Sequence, residues 1–316
     1  MKTRLLISIL LAGVLVAGGL ACKKDETEKV IMFQDGSKYS GEVQNGVPHG
    51  TGTLIWHDGS WYEGQYQNGL RHGQGTLYDH LGGKYYEGDY YQDEIHGEGK
   101  LYWSNGHVAY DGQWDHGKRN GYGILYDSNG AKSYEGYWEN DKKHGEGVLY
   151  SSAEIKVYEG TFVEDKWQGT GTMYDILGNK IYTGEFANGQ MHGQGTSYTD
   201  DEIKMYEGSF QNGARNGEGV LYWEDGVTVV YEGEWSNGQR YGYGKLYDEE
   251  GNLSYEGGWN SDRKHGKGTL YWEDGVTVAY VGDFDSDMKH GSGKSYNEEG
   301  ELVFDGAWIY DTPLKV

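Results

Sequence analysis

The chain has 316 residues, with 55 glycines, 30 tyrosines and 2 prolines, and its 50 acidic and 27 basic side chains give a formal charge of −23. Mean hydropathy is −0.82, and a chain so poor in aliphatic side chains cannot fill a thick two-layer core. Aromatics at 15% argue against disorder, and the acidic balance argues against nucleic acid, whose phosphates are engaged by Lys and Arg clusters.

The first element is a leader. Lys2 and Arg4 precede an apolar run from Leu5 to Leu20, followed by Ala21-Cys22 and the charged stop Lys23-Lys24-Asp25-Glu26. A basic start, an apolar stretch shorter than a spanning helix and a small-residue cleavage point read as an export signal over residues 1–21. Cys22 is the sole cysteine, so it has no internal disulfide partner. Gly19-Leu20-Ala21-Cys22 resembles the lipobox of bacterial lipoproteins, with Gly19 where that family prefers Leu. The resemblance implies acylation of Cys22 as the mature N-terminus. Acyl chains would tether the chain to a membrane. By the same resemblance, the lack of Asp after the cysteine favours the outer membrane where the organism has one.

Residues 22–38 then form a tether and lead-in, and the repeat occupies 39–316. An aromatic recurs at Tyr39, Tyr62, Tyr86, Tyr110, Tyr134, Tyr158, Tyr182, Tyr206, Tyr231, Tyr255, Tyr280 and Phe304, at a spacing of 24 with one step of 23 and two of 25. Each unit begins with a segment such as Tyr62-Glu63-Gly64-Gln65-Tyr66, then a turn signal such as Asn68-Gly69. A pair such as Gly73-Gln74-Gly75 follows, with Leu77-Tyr78 behind it. Short aromatic and β-branched runs bounded by Asn-Gly or Asp-Gly predict one antiparallel hairpin per unit. Strand parity puts Tyr, Gly and the second aromatic on one face. Glycine weakens a strand unless another group needs its space, so rings from neighbouring strands are expected over the glycines.

This grammar resembles the MORN (membrane occupation and recognition nexus) repeat family over residues 39 to about 308, as eleven full units and a truncated last one. Val43 and Phe304 depart from it in the end units, and the Asn-Gly turn is lost at Asp93-Glu94 and Glu164-Asp165. The resemblance implies an all-β fold: an elongated, twisted single-layer antiparallel sheet, a solenoid of about twelve tandem hairpins with a groove along one face. At two strands per unit the ribbon would be on the order of 110 Å long.

Histidines precede many of the glycine pairs, at His49, His72, His96, His144, His192, His265 and His290. Equivalent residues in adjacent hairpins lie about 10 Å apart, too far to share a zinc ion, so a turn or edge role is expected and no metal or other cofactor. The glycine pairs lack the third glycine of a dinucleotide fingerprint and the Gly-Lys-Ser/Thr of a P-loop. Glu63, Glu87, Glu135, Glu159, Glu207 and Glu232 recur with the repeat and read as a solvated face, not a catalytic pair. No enzyme is expected. Removing the leader takes away Lys2 and Arg4, leaving 25 basic against 50 acidic side chains, or −25. Such a surface disfavours anionic headgroups, so membrane contact is assigned to Cys22.

The function expected is a non-enzymatic, membrane-tethered scaffold that binds a protein or peptide at the bacterial cell envelope. Tyr66, Tyr90, Trp114, Trp138, Trp235 and Trp259 occupy equivalent slots. They are either the lining of an aromatic groove, since such rings favour interfaces, or internal packing. The alternatives are a glycan or peptidoglycan binder using the aromatics as platforms, and an accessory or antitoxin-like regulator.

Overall fold

The computed structural model describes residues 29–314; the leader and Cys22 lie outside them. The described chain is all strand and turn, divided between Lys142 and Lys143 into two compact units. In the first unit, strands β1 (Lys29–Met32) to β10 (Lys132–Glu139) pair antiparallel, each with the next in sequence. The second unit repeats this order from β11 (Lys142–Tyr150) to β25 (Thr312–Pro313). Pairing begins earlier than the aromatic repeat, because β1 lies in the lead-in and pairs with β2 (Lys38–Gln44).

One hairpin serves for all. β4 (Trp61–Gln67) turns through Asn68-Gly69 into β5 (Leu70–Tyr78). Asn68 and Gly69 have φ of 51° and 88°, the pair of positive values that a two-residue type I′ turn requires. Gln92 and Asp93 at 50° and 71°, and Glu164 and Asp165 at 48° and 70°, keep the same turn. The missing Asn-Gly therefore changes the residues and leaves the geometry in place. The return to the next hairpin is held by an Asp side chain: Asp79 Oδ1 accepts the amides of Leu81 and Gly83, each at 2.9 Å. The acceptor's position two residues before its first donor is an Asx-turn.

Burial alternates along β4, with Tyr62 and Tyr66 inside and Glu63, Gln65 and Gln67 exposed. The register slips between Gly64 and Tyr66, a bulge that leaves the Gln74 amide without a strand partner. Gln65 Oε1 accepts that amide at 3.0 Å. Asp89, Gln113, Glu185, Glu234 and Asp283 do the same for Glu98, Tyr122, Gln194, Tyr243 and Ser292. That acceptor lies over Gly73 (φ +63°), where a Cβ would overlap it. The polar residue after Tyr-Glu-Gly is thus tied to the first glycine of the later pair.

Candidate binding surface

The inner face is a double row of rings. Tyr62 lies along its own strand over Gly64 and across it over Gly75, where a Cβ would meet its hydroxyl, Cζ and Cε2. Its hydroxyl donates to Gln65 O at 3.2 Å. The same seat recurs for Tyr86 over Gly88 and Gly99, and for Tyr231 over Gly233 and Gly244. The rings over the glycines therefore come from the same strand as well as the neighbouring one. Eleven of these tyrosines, from Tyr39 to Tyr280, are fully buried. Burial raises the hydroxyl pKa of Tyr39, Tyr182, Tyr206 and Tyr280 to about 12.

Within each compact unit, the second aromatic of a repeat wedges between its own tyrosine and that of the preceding repeat, as at Tyr90, Trp138, Phe186, Trp235 and Phe284. Tyr90 meets Tyr62 and Tyr86 edge-on at 5.0 and 5.3 Å. Trp235 meets Tyr206 and Tyr231 at 5.5 and 5.1 Å. Edge-to-face contacts at these distances are the favourable aromatic geometry. The indoles of Trp114, Trp138, Trp235 and Trp259 also donate to Gly99, Gly123, Gly219 and Gly244 carbonyls at 3.0–3.2 Å. Arginines stack over the remaining ring faces: Arg71 on Tyr90, Arg119 on Trp138, Arg215 on Trp235 and Arg240 on Trp259, at 4.1–4.9 Å. Tyr66, Tyr90, Trp114, Trp138, Trp235 and Trp259 are each at most 8% exposed. Of the two uses their sequence pattern allows, this burial supports packing over an open groove.

The MORN repeat family matches eleven segments of this chain: 39–61, 62–79, 86–108, 110–132, 134–152, 158–175, 182–201, 206–228, 231–253, 255–277 and 280–300. The chain is a MORN repeat protein. A search of curated proteins finds no match to it.

The MORN array carries a further regularity that links consecutive hairpins. Where the turn ends in Asp, its carboxylate reaches back to the basic residue of the preceding hairpin. Asp93 Oδ1 accepts the Arg71 amide and Nε at 2.8 and 3.2 Å, and its carbonyl accepts Arg71 Nη2 at 2.7 Å. Asp141 and Asp262 hold Arg119 and Arg240 alike. Asp165, Asp287 and Asp311 accept the amides of Lys143, Lys264 and Lys289. The last amide of the turn donates back to a carbonyl in both cases, from Asp93 to Arg71 and from Gly69, Gly117, Gly189 and Gly213 to Pro48, Ile95, Trp167 and Met191, so a Gly turn keeps the backbone bond and lacks only the carboxylate. Arg215 is the exception, a cation facing Gly238.

The histidine slot touches the next turn. His49 Nδ1 accepts the Asn68 amide at 3.4 Å, and Gln168 and Asn216 side chains accept those of Asn188 and Asn237. One junction departs from the pattern. His96, Asp115 and His116 bring their ligand atoms within 4.8 Å of one another. Sequence reasoning missed this group because His116 is a turn residue, not a slot histidine; its signal was a His where other turns have Asn.

The outer face carries the bulge-capping side chains and surface ion pairs, such as Lys84–Glu87 at 2.9 Å and Lys100–Asp111 at 3.1 Å. The recurring glutamates lie here: Glu87 accepts from Tyr102 and Glu232 from Tyr247. Lys84 beside Glu87 holds that carboxyl below the usual range. Tyr122 on β9 (Lys118–Tyr126) faces Tyr137 on β10. Their rings meet edge-on at 5.6 Å, 42% and 52% exposed. In the second unit Tyr243 stands opposite Gly258. Beside it is a shallow depression of about 480 Å³ lined by Tyr243, Glu256, Lys267, Thr269, Val281 and Lys294.

Proposed function

We propose that this MORN repeat protein is a non-catalytic scaffold, tethered to a membrane at the bacterial cell envelope through acylated Cys22, that binds a protein partner on the outer face of its sheet. The carrying observation is the exposed Tyr122–Tyr137 pair. These rings stand on the face opposite the buried row, and Tyr is a residue that interfaces favour. Tyr243 and its depression offer the second unit a comparable patch. The acidic balance of the chain favours a partner presenting Lys or Arg and would speed its association.

The six inner rings, being buried, offer no platform for the alternative glycan reading, which is left with the exposed tyrosines alone. The tether reading rests on the leader and Cys22 in the sequence. The test is affinity capture from envelope membranes with the full chain and with a Tyr122→Ser/Tyr137→Ser double variant. A partner captured by the former and lost by the latter supports the reading. Equal recovery with both removes it.

A further inference from the structure

We propose that His96, Asp115 and His116 form a zinc-binding site that clamps two successive hairpins of the first unit. β7 (Glu94–Tyr102) supplies His96, the end of β8 (Val108–Asp115) supplies Asp115, and the turn into β9 supplies His116. Asp115 Oδ1 lies 3.4 Å from His96 Nδ1 and 3.7 Å from His116 Nε2. Ligands about 2.1 Å from a tetrahedral zinc are separated by about 3.4 Å. Two edges of the required triangle are therefore nearly at length, and the third needs only a modest closure from within 4.8 Å.

The protonation pattern also suits a metal. His116 Nδ1 meets Glu94 Oε2 at 2.6 Å. A carboxylate there accepts the Nδ1 proton and turns Nε2 toward the other two ligands, the outer carboxylate found behind zinc-bound histidines. His96 Nδ1 is shielded from water and has no hydrogen-bond partner, the Asp115 contact lacking hydrogen-bond geometry. A buried imidazole nitrogen without a partner is costly, and a cation would supply one. Two imidazoles and a carboxylate suit zinc better than the harder magnesium or calcium. Water would take the fourth position.

The location gives the site a structural purpose. This junction pairs Gly117 with Ile95 and lacks the Asp staple present on either side of it, at Asp93–Arg71 and Asp141–Arg119. Zinc would supply the missing link. His265 and Asp285 approach to 3.5 Å, but Ser286 occupies the turn there, so that pair has no third ligand.

The test is equilibrium dialysis of the full chain against zinc chloride, with metal counted by mass spectrometry. His116→Asn places in the turn the residue found at Asn68, Asn188 and Asn237, so the hairpin keeps its preferred turn. His265→Asn is the control. One tight zinc per chain is expected, weakened about 100-fold or more by His116→Asn, about 10- to 100-fold by Glu94→Gln, and untouched by His265→Asn. No tight zinc in the unaltered chain, or equal binding after His116→Asn, overturns the proposal.

Discussion

Gly75→Ala is the sharpest probe of the core. Its φ lies outside the left-handed region, so the whole cost falls on the added methyl, which would overlap the Tyr62 hydroxyl, Cζ and Cε2. Tyr62 has little room to yield. Its hydroxyl is bonded to Gln65 O, and Tyr66 and Tyr90 lie edge-on at 5.3 and 5.0 Å. Overpacking a tight core costs about 1–3 kcal/mol, and a ring fixed on three sides puts Gly75→Ala near about 3 kcal/mol. Gly106→Ala is the reference, since a Cβ there meets nothing within 4 Å. Its cost is the positive φ of 86° alone, on the order of 1 kcal/mol. Because repeat stability is local, hydrogen exchange on peptides spanning residues 61–91 is the suitable assay. Protection should collapse there for Gly75→Ala and fall far less in the peptides around residue 106 for Gly106→Ala. If Gly75→Ala costs no more than Gly106→Ala, the ring-on-glycine account of the core is wrong.

Four further outcomes are expected. Tyr66 and Tyr90 bury hydroxyls with no hydrogen-bond partner in slots where Phe162 and Phe186 also serve, so Tyr66→Phe should stabilise by about 1 kcal/mol in urea titration. Gly238→Asp would give Arg215 the carboxylate that Asp262 gives Arg240 and should stabilise likewise; a neutral or negative effect counts against the staple. Burial pushes the hydroxyls of Tyr39, Tyr182, Tyr206 and Tyr280 up to about 12 in the folded chain, against about 10 when unfolded. The stability they contribute is intact below about pH 10 and is lost as pH rises toward 12, so circular dichroism and tyrosinate absorbance should change together in that window. Intact mass of protein from membranes should show a chain beginning at acylated Cys22; an unmodified cysteine ends the tether reading.

Much of the fold was legible because each hairpin writes its own signals locally. Period, turns and strand parity all appear within one unit, as in Tyr62-Glu63-Gly64 and Asn68-Gly69. The use of the aromatics was not legible. Parity puts Tyr62 and Tyr66 on one face, but only the ring of Tyr39 arriving edge-on at 5.1 Å shows that Tyr66 is enclosed. The lost turn reads from the sequence as Asp93-Glu94; the structure puts it at Gln92-Asp93, and it looks like a departure until Asp93 is seen to hold Arg71, 22 residues back. The His96–His116 approach was hidden for the same reason, since it joins a strand of one hairpin to the turn of the next. Contacts within a unit repeat and can be read; those between units need the register.

The proposal that the outer face is the binding surface is tested most directly by a photoreactive amino acid placed at Tyr137 in the living envelope. Residue 138 serves as the control, since Trp138 is the buried neighbour on the opposite side of the same strand. A discrete protein adduct at 137 and none at 138 is the expected result. Adducts from the loop tips Leu81 and Ile176, which are exposed on the described chain, with none from 137, would contradict it.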